Sequence, residues 1–111
     1  MKLNSTSKHG YGDTITALTF DTADSSAITS MMVTYGNGSL NVHMVYNSNT
    51  SIKYVYTFVN GVETLLELIK ETSAGKFANY VRNNADAVAK HWPDGTVEHL
   101  PARKTLAGAS A

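Results

Sequence analysis

Two consecutive segments that alternate with period two constrain this chain more than any other feature. In residues 40–46, LNVHMVY, the side chains Leu40, Val42, Met44 and Tyr46 fall on one face, and Asn41, His43 and Val45 on the other. In residues 52–58, IKYVYTF, the first face carries Ile52, Tyr54, Tyr56 and Phe58, and the second Lys53, Val55 and Thr57. Residues 47–51, NSNTS, form a turn cluster between them. Two alternating segments joined by a turn specify an antiparallel hairpin with one buried face. Upstream, 28–35 and 15–20 read as further strands, separated by the small, acidic turn DTADSS. GNGS, 36–39, is a hairpin signal because Asn and Gly tolerate positive φ.

The period changes after residue 60. In 62–71, Val62, Leu65, Leu66 and Ile69 recur at helical spacing. Thr72-Ser73-Ala74-Gly75 interrupts the pattern, with Ser73 placed to cap a second helix. Along that helix Phe77, Val81, Ala85, Val88 and Trp92 form one stripe. The spacing therefore predicts a helix over 74–91, with Asn83-Asn84 as an early stop. Pro93-Asp94-Gly95 is a turn in either case. Residues 96–101 form a candidate short strand, 1–13 a polar arm, and 102–111 a tail. The expected fold is α+β: one domain over 1–111, with an antiparallel sheet of four to five strands followed by two α-helices packed on one face.

Composition narrows the function. The chain has 111 residues, nine bases, nine acids and no cysteine. Disulfides, thiolate metal sites and cysteine nucleophiles are excluded. A reducing, cytoplasmic setting is expected, and the N-terminus has no apolar core of a signal peptide. No apolar run approaches a membrane span. A protein that tracks a nucleic-acid backbone usually carries a positive excess, so zero net charge disfavours RNA. Between Asp24 and Glu63 there is no acid, and Lys53 is the only Lys or Arg. The second face of the central hairpin is thus too uncharged for an ordinary solvated face, and a homo-oligomer, a dimer or higher, is expected.

Some of these residues also carry a family resemblance. Tyr54-Val55-Tyr56, Phe58-Val59, Ser73-Ala74-Gly75, Phe77, Asn79 and Arg82, with the hairpin upstream, resemble the KTSC domain over about residues 28–84. That family is named for its occurrence at the C-terminus of some lysyl-tRNA synthetases, and the resemblance implies RNA binding as an alternative function. Ala78 stands where the family commonly has an aromatic, and Asn60-Gly61 where it commonly has a proline. In layout alone the chain also resembles phage-encoded sponge proteins, which hold cyclic-nucleotide immune signals without cleaving them. That likeness implies anti-defence sequestration in a host cytoplasm.

The candidate site follows from the second helix. Free amides at a helix N-terminus attract anions. Ser73, Gly75 and Lys76 supply a hydroxyl, a close-approach glycine and a cation there. Asn79 and Arg82 follow at three-residue steps and can share one side of the helix with Lys76. The competing reading makes Gly75 a turn glycine and leaves Lys76 and Arg82 solvated. Tyr54 and Tyr56 are either an aromatic platform for a base or core under the helices, and core packing is the reading the alternation favours. Arg103 and Lys104 either close over a pocket or belong to the tail. His9, His43, His91 and His99 have no metal-ligand spacing, and no nucleophile, acid and base come together in the pattern. The expectation is a non-catalytic module without cofactor or metal. It binds a small phosphorylated ligand, a nucleotide or cyclic nucleotide, in a pocket between subunits. A structural protein with no small ligand is the further alternative.

Overall fold

The computed structural model of the protein describes residues 3–9, 15–23, 25–36, 38–60 and 62–103, with the backbone alone for 3–9, 15–16 and 36. Seven strands form one antiparallel sheet: β1 (Leu3–His9), β2 (Ile15–Phe20), β3 (Ile28–Gly36), β4 (Ser39–Tyr46), β5 (Asn49–Phe58), β6 (Ala87–His91) and β7 (Val97–Leu100). Their spatial order is their sequence order, so every strand pairs with its chain neighbours. Helices α1 (Val62–Glu71) and α2 (Ala74–Asn84) lie between β5 and β6 in the chain.

The α+β class, the central hairpin and the two helices are as the sequence predicts. In the hairpin, Leu40 pairs with Phe58, Val42 with Tyr56 and Met44 with Tyr54. The turn is tighter than expected, because Tyr46 pairs with Asn49 and β5 begins there. Gly36 pairs with Ser39 in the preceding hairpin, whose Gly38 adopts φ +78°. An L side chain rarely adopts that conformation, which is why glycine stands there.

The strand number is a correction: seven strands rather than four to five. Residues 3–9 of the expected N-terminal arm pair with β2, Ser7 opposite Ala17. The predicted helix over 74–91 ends at Asn84, and residues 87–91 return to the sheet beside β5. Features of three successive residues explain the stop. The Asn84 side chain donates to the Tyr80 carbonyl at 2.9 Å. Ala85 is extended, with ψ 146°. The Asp86 amide donates to the Thr57 carbonyl at 2.8 Å, and its carboxylate accepts the amides of Val59 (2.8 Å) and Asn60 (3.2 Å). The chain is thereby fastened to the end of β5, and β6 pairs from there. The turn over Pro93-Asp94-Gly95 and the strand after it are present, with Gly95 at φ +90°.

The core lies between one sheet face and the two helices. Met31, Val33, Leu40, Val42, Met44, Tyr56 and Phe58 from the strands pack with Leu65, Ile69, Phe77, Ala78 and Val81 from the helices. Phe77 and Val81 thus face inward with Leu65 and Ile69, as their spacing predicts. Ala78 is buried against the same core, so an aromatic there would overpack it. Ser73 caps α2 through its Oγ, which accepts the Lys76 amide at 3.4 Å. Among the described residues no helix is long and apolar enough to cross a membrane.

Candidate functional site

Where α2 ends, the sheet continues past it, and a cleft of about 420 Å³ opens between them. Its walls are Tyr46 from β4, Tyr54 and Tyr56 from β5, Arg82 from α2, Val88 and Leu100 from β6 and β7, and Pro101 and Arg103 beyond β7. Alternation builds it. Met44–Tyr54–Lys90 and Val42–Tyr56–Val88–Leu100 are cross-strand rows on the core face, and the helices cover the second row more fully than the first.

The aromatic wall is tightly interlocked. The hydroxyls of Tyr46 and Tyr56 are hydrogen-bonded at 2.8 Å. The rings of Tyr54 and Tyr56 lie nearly parallel, 6.2 Å between centroids, and Tyr46 meets Tyr54 edge-on at 5.2 Å. Tyr56 is buried, and burial first, then its bond to Tyr46, pushes its phenol further above the ordinary tyrosine range. It remains protonated and serves as a hydrogen-bonding floor rather than a nucleophile or base.

Cations line the other side. An Arg82 Nη donates to the Tyr46 hydroxyl at 3.4 Å, and the guanidinium sits 5.7 Å from the centre of that ring. Arg103 donates to the Asn83 side-chain oxygen at 3.2 Å, which ties the segment after β7 to α2. Beside the lining ring of Tyr54, though not itself among the lining residues, the Lys90 ammonium lies 5.5 Å from the centre of that ring and 5.8 Å from that of Trp92. No carboxylate is among the described residues lining the cleft, and an ion pair found among the described residues is the exposed Lys70–Glu67.

The cleft joins four of the candidate residues, Tyr54, Tyr56, Arg82 and Arg103, and leaves the others outside. Ser73, Gly75 and Lys76 stand at the opposite end of α2, where a Cβ on Gly75 would meet the Ser25 Oγ at 3.8 Å. Asn79 is exposed and, like Lys76, is not among the described residues lining the cleft. The reason is geometric: α2 rises about 1.5 Å per residue, so its start and its last turn lie well over 10 Å apart. Lys104 lies outside the described residues. The described residues that line the cleft come from one chain. Tyr46 and Lys90 are additions. Tyr46 was signalled by its place on the face of Leu40, Val42 and Met44, whereas Lys90 was hidden by the helical reading of 74–91.

A larger concavity of about 820 Å³ lies beside the β2–β3 loop, lined among others by Met32, His43, Val45, Asn47, Asp21 and Lys53. Among its described lining residues Asp21 and Lys53 offset each other, so charge does not accumulate between them despite the volume. Among the described residues no group of three or more His, Asp or Glu side chains is placed to hold a metal.

Comparison with family models, with curated proteins and with solved structures gives no match for this chain.

Proposed function

We propose that the protein is a non-catalytic binding module for a small phosphorylated ligand, a nucleotide or cyclic nucleotide, which it sequesters in the cytoplasm. One observation carries this reading: Arg82 and Arg103 converge on a tyrosine-walled cleft that no carboxylate lines among the described residues, in a chain of zero net charge. Guanidinium forks suit phosphate, and the rings and apolar walls suit a base. Two arginines match a ligand with two or three negative charges better than a polyanion. For that reason the small ligand is preferred to RNA.

The test is calorimetric binding of nucleotides to wild type and to Arg82→Ala, with the ligand recovered after denaturation. We expect it to be recovered chemically unchanged. Arg82→Ala should weaken binding by about 1.5–3 kcal/mol, the range for a charge-assisted hydrogen bond. Its melting temperature should stay within a few degrees of wild type, because Arg82 is half-buried and bonded only to a phenol. Phe77→Ala, by contrast, should cost about 3–5 kcal/mol of stability. Recovery of cleaved ligand would mean an enzyme. A steep loss of affinity with salt for single-stranded RNA would favour the nucleic-acid alternative.

A further inference from the structure

Resting on that reading of the cleft, we infer that the site counts phosphates and does not read the base. It takes a flat ring carrying two or more phosphoryl groups, and Lys90 is the residue that sets the requirement.

The charge side comes first. Two arginines line the cleft and Lys90 stands beside it over the Tyr54 ring, and no ion pair to a carboxylate is formed by any of the three among the described residues. Arg82 is held by a phenol, Arg103 by an amide oxygen, and Lys90 by two ring faces. The acid opposite Lys90 in the β6–β7 pairing is Glu98, which is exposed and forms no ion pair with it. A terminal phosphoryl group carries about 1.5–2 negative charges near pH 7. One such group balances the two arginines and leaves Lys90 uncompensated, while a second balances all three.

The ring side is equally restrictive. Reading a base requires donors and acceptors aimed at its edge, because an unpaired polar group is what rejects the wrong one. The described side chains of the lining are Tyr, Arg, Val, Leu and Pro, with no amide or carboxylate among them, and the Tyr46 and Tyr56 hydroxyls are engaged with each other. Apart from the Tyr54 hydroxyl and the arginine forks, which the phosphates take, what remains is stacking, which every base satisfies.

Lys90 couples the two sides. Tyr56 stacks alongside the Tyr54 ring at 6.2 Å, and the Lys90 ammonium lies over that ring at 5.5 Å. A base that stacks on Tyr54 must displace the ammonium from it. The freed lysine, on its four-carbon stem, then has a second phosphate as its nearest partner.

The experiment is calorimetry on the full chain and on Lys90→Gln with orthophosphate, pyrophosphate, and the mono- and diphosphates of adenosine, guanosine, cytidine and uridine. For wild type, each diphosphate should bind at least about tenfold tighter than its monophosphate, and the four diphosphates should agree within about threefold. Pyrophosphate, lacking a ring, should bind at least about tenfold more weakly than adenosine diphosphate. In Lys90→Gln the diphosphate preference should fall to about threefold or less, chiefly through weaker diphosphate binding. A spread above tenfold among bases, equal affinity for mono- and diphosphates, pyrophosphate matching the nucleotide, or an unchanged preference in Lys90→Gln would each overturn the inference while leaving the ligand reading standing. Silence of every phosphate at millimolar concentration would overturn the ligand reading itself.

Discussion

His43 sits in the middle of the sheet face opposite the helices, with one ring nitrogen 3.0 Å from the Thr34 hydroxyl and the other buried without a partner. Burial, reinforced by the charges of Lys53 and His91, lowers its pKa from 6.5 to about 4. Above pH 7 the ring is neutral whether the chain is folded or not, and this group contributes no pH dependence. Between pH 6.5 and 4 the unfolded chain takes up a proton that the folded chain refuses, so stability falls as the pH drops through that window. Allowing for the ring's partial exposure, the loss should be roughly 1–2 kcal/mol. Urea midpoints at pH 7 and pH 5 check it: wild type should weaken, and His43→Gln, which keeps a partner for Thr34, should lose less than half as much. A wild-type midpoint that does not move would show the ring is protonated as easily folded as unfolded. The histidine was visible in the sequence only as an outward residue of an alternating strand. Its burial depends on neighbours from three other strands, which no local pattern reports.

The segment from α2 to β6 shows where an element can be read from sequence and where it cannot. Strands β2 to β5 and helix α1 carry alternation or helical spacing that fits only one period, and the sequence reading places them within a few residues. Residues 77–92 fit two. Val88 lies on the helical stripe of Phe77, Val81 and Ala85, and it also lies on the inward face of a strand that begins at Ala87. What decides between them is the Asp86 carboxylate on the amides of Val59 and Asn60, a contact 26 and 27 residues long. The cleft inherits the ambiguity. Tyr54, Tyr56 and Arg82 could be nominated from local pattern, but their meeting with Arg103 and Lys90 requires β6 and β7 to return beside β5. Asp86→Ala should therefore destabilise by about 1–2 kcal/mol, as expected for charge-assisted bonds at a partly exposed site. Chemical denaturation with an unchanged m-value would check it. A loss under a few tenths of a kcal/mol would mean that backbone pairing alone fastens β6.

At the scale of the whole molecule, the sheet has two dissimilar faces. Behind the core runs a row of Thr19, Met32, His43, Val55 and Ala89, one from each of five adjacent strands. Beside it, Thr57 donates to the Asn41 side-chain oxygen at 2.7 Å. Lys53 is the one formal charge contributed to this face by the central hairpin. We expect it to meet the same face of a second copy, since such a sheet packs well against itself. Sedimentation at high micromolar concentration should then report a dimer or larger species, and Val55→Lys should return it to monomer. A monomeric wild type would remove the expectation.

The meander order of the sheet also bears on how the chain acquires its shape. Each strand from β2 to β5 finds its partner in the stretch synthesised just before it, so for the first five of the seven strands no distant search is needed. Then 28 residues intervene between Phe58 and Ala87, and β6 must come back to β5 across them. Closing a gap of that length costs on the order of 3 kcal/mol in chain entropy. The helices within it offset this only when they settle on the sheet. Synthesis from the N-terminus thus leaves β5 as an open edge until α1 and α2 have emerged. Two of the three tyrosines that wall the cleft, Tyr54 and Tyr56, are on that edge, and they wait for the last quarter of the chain to cover them.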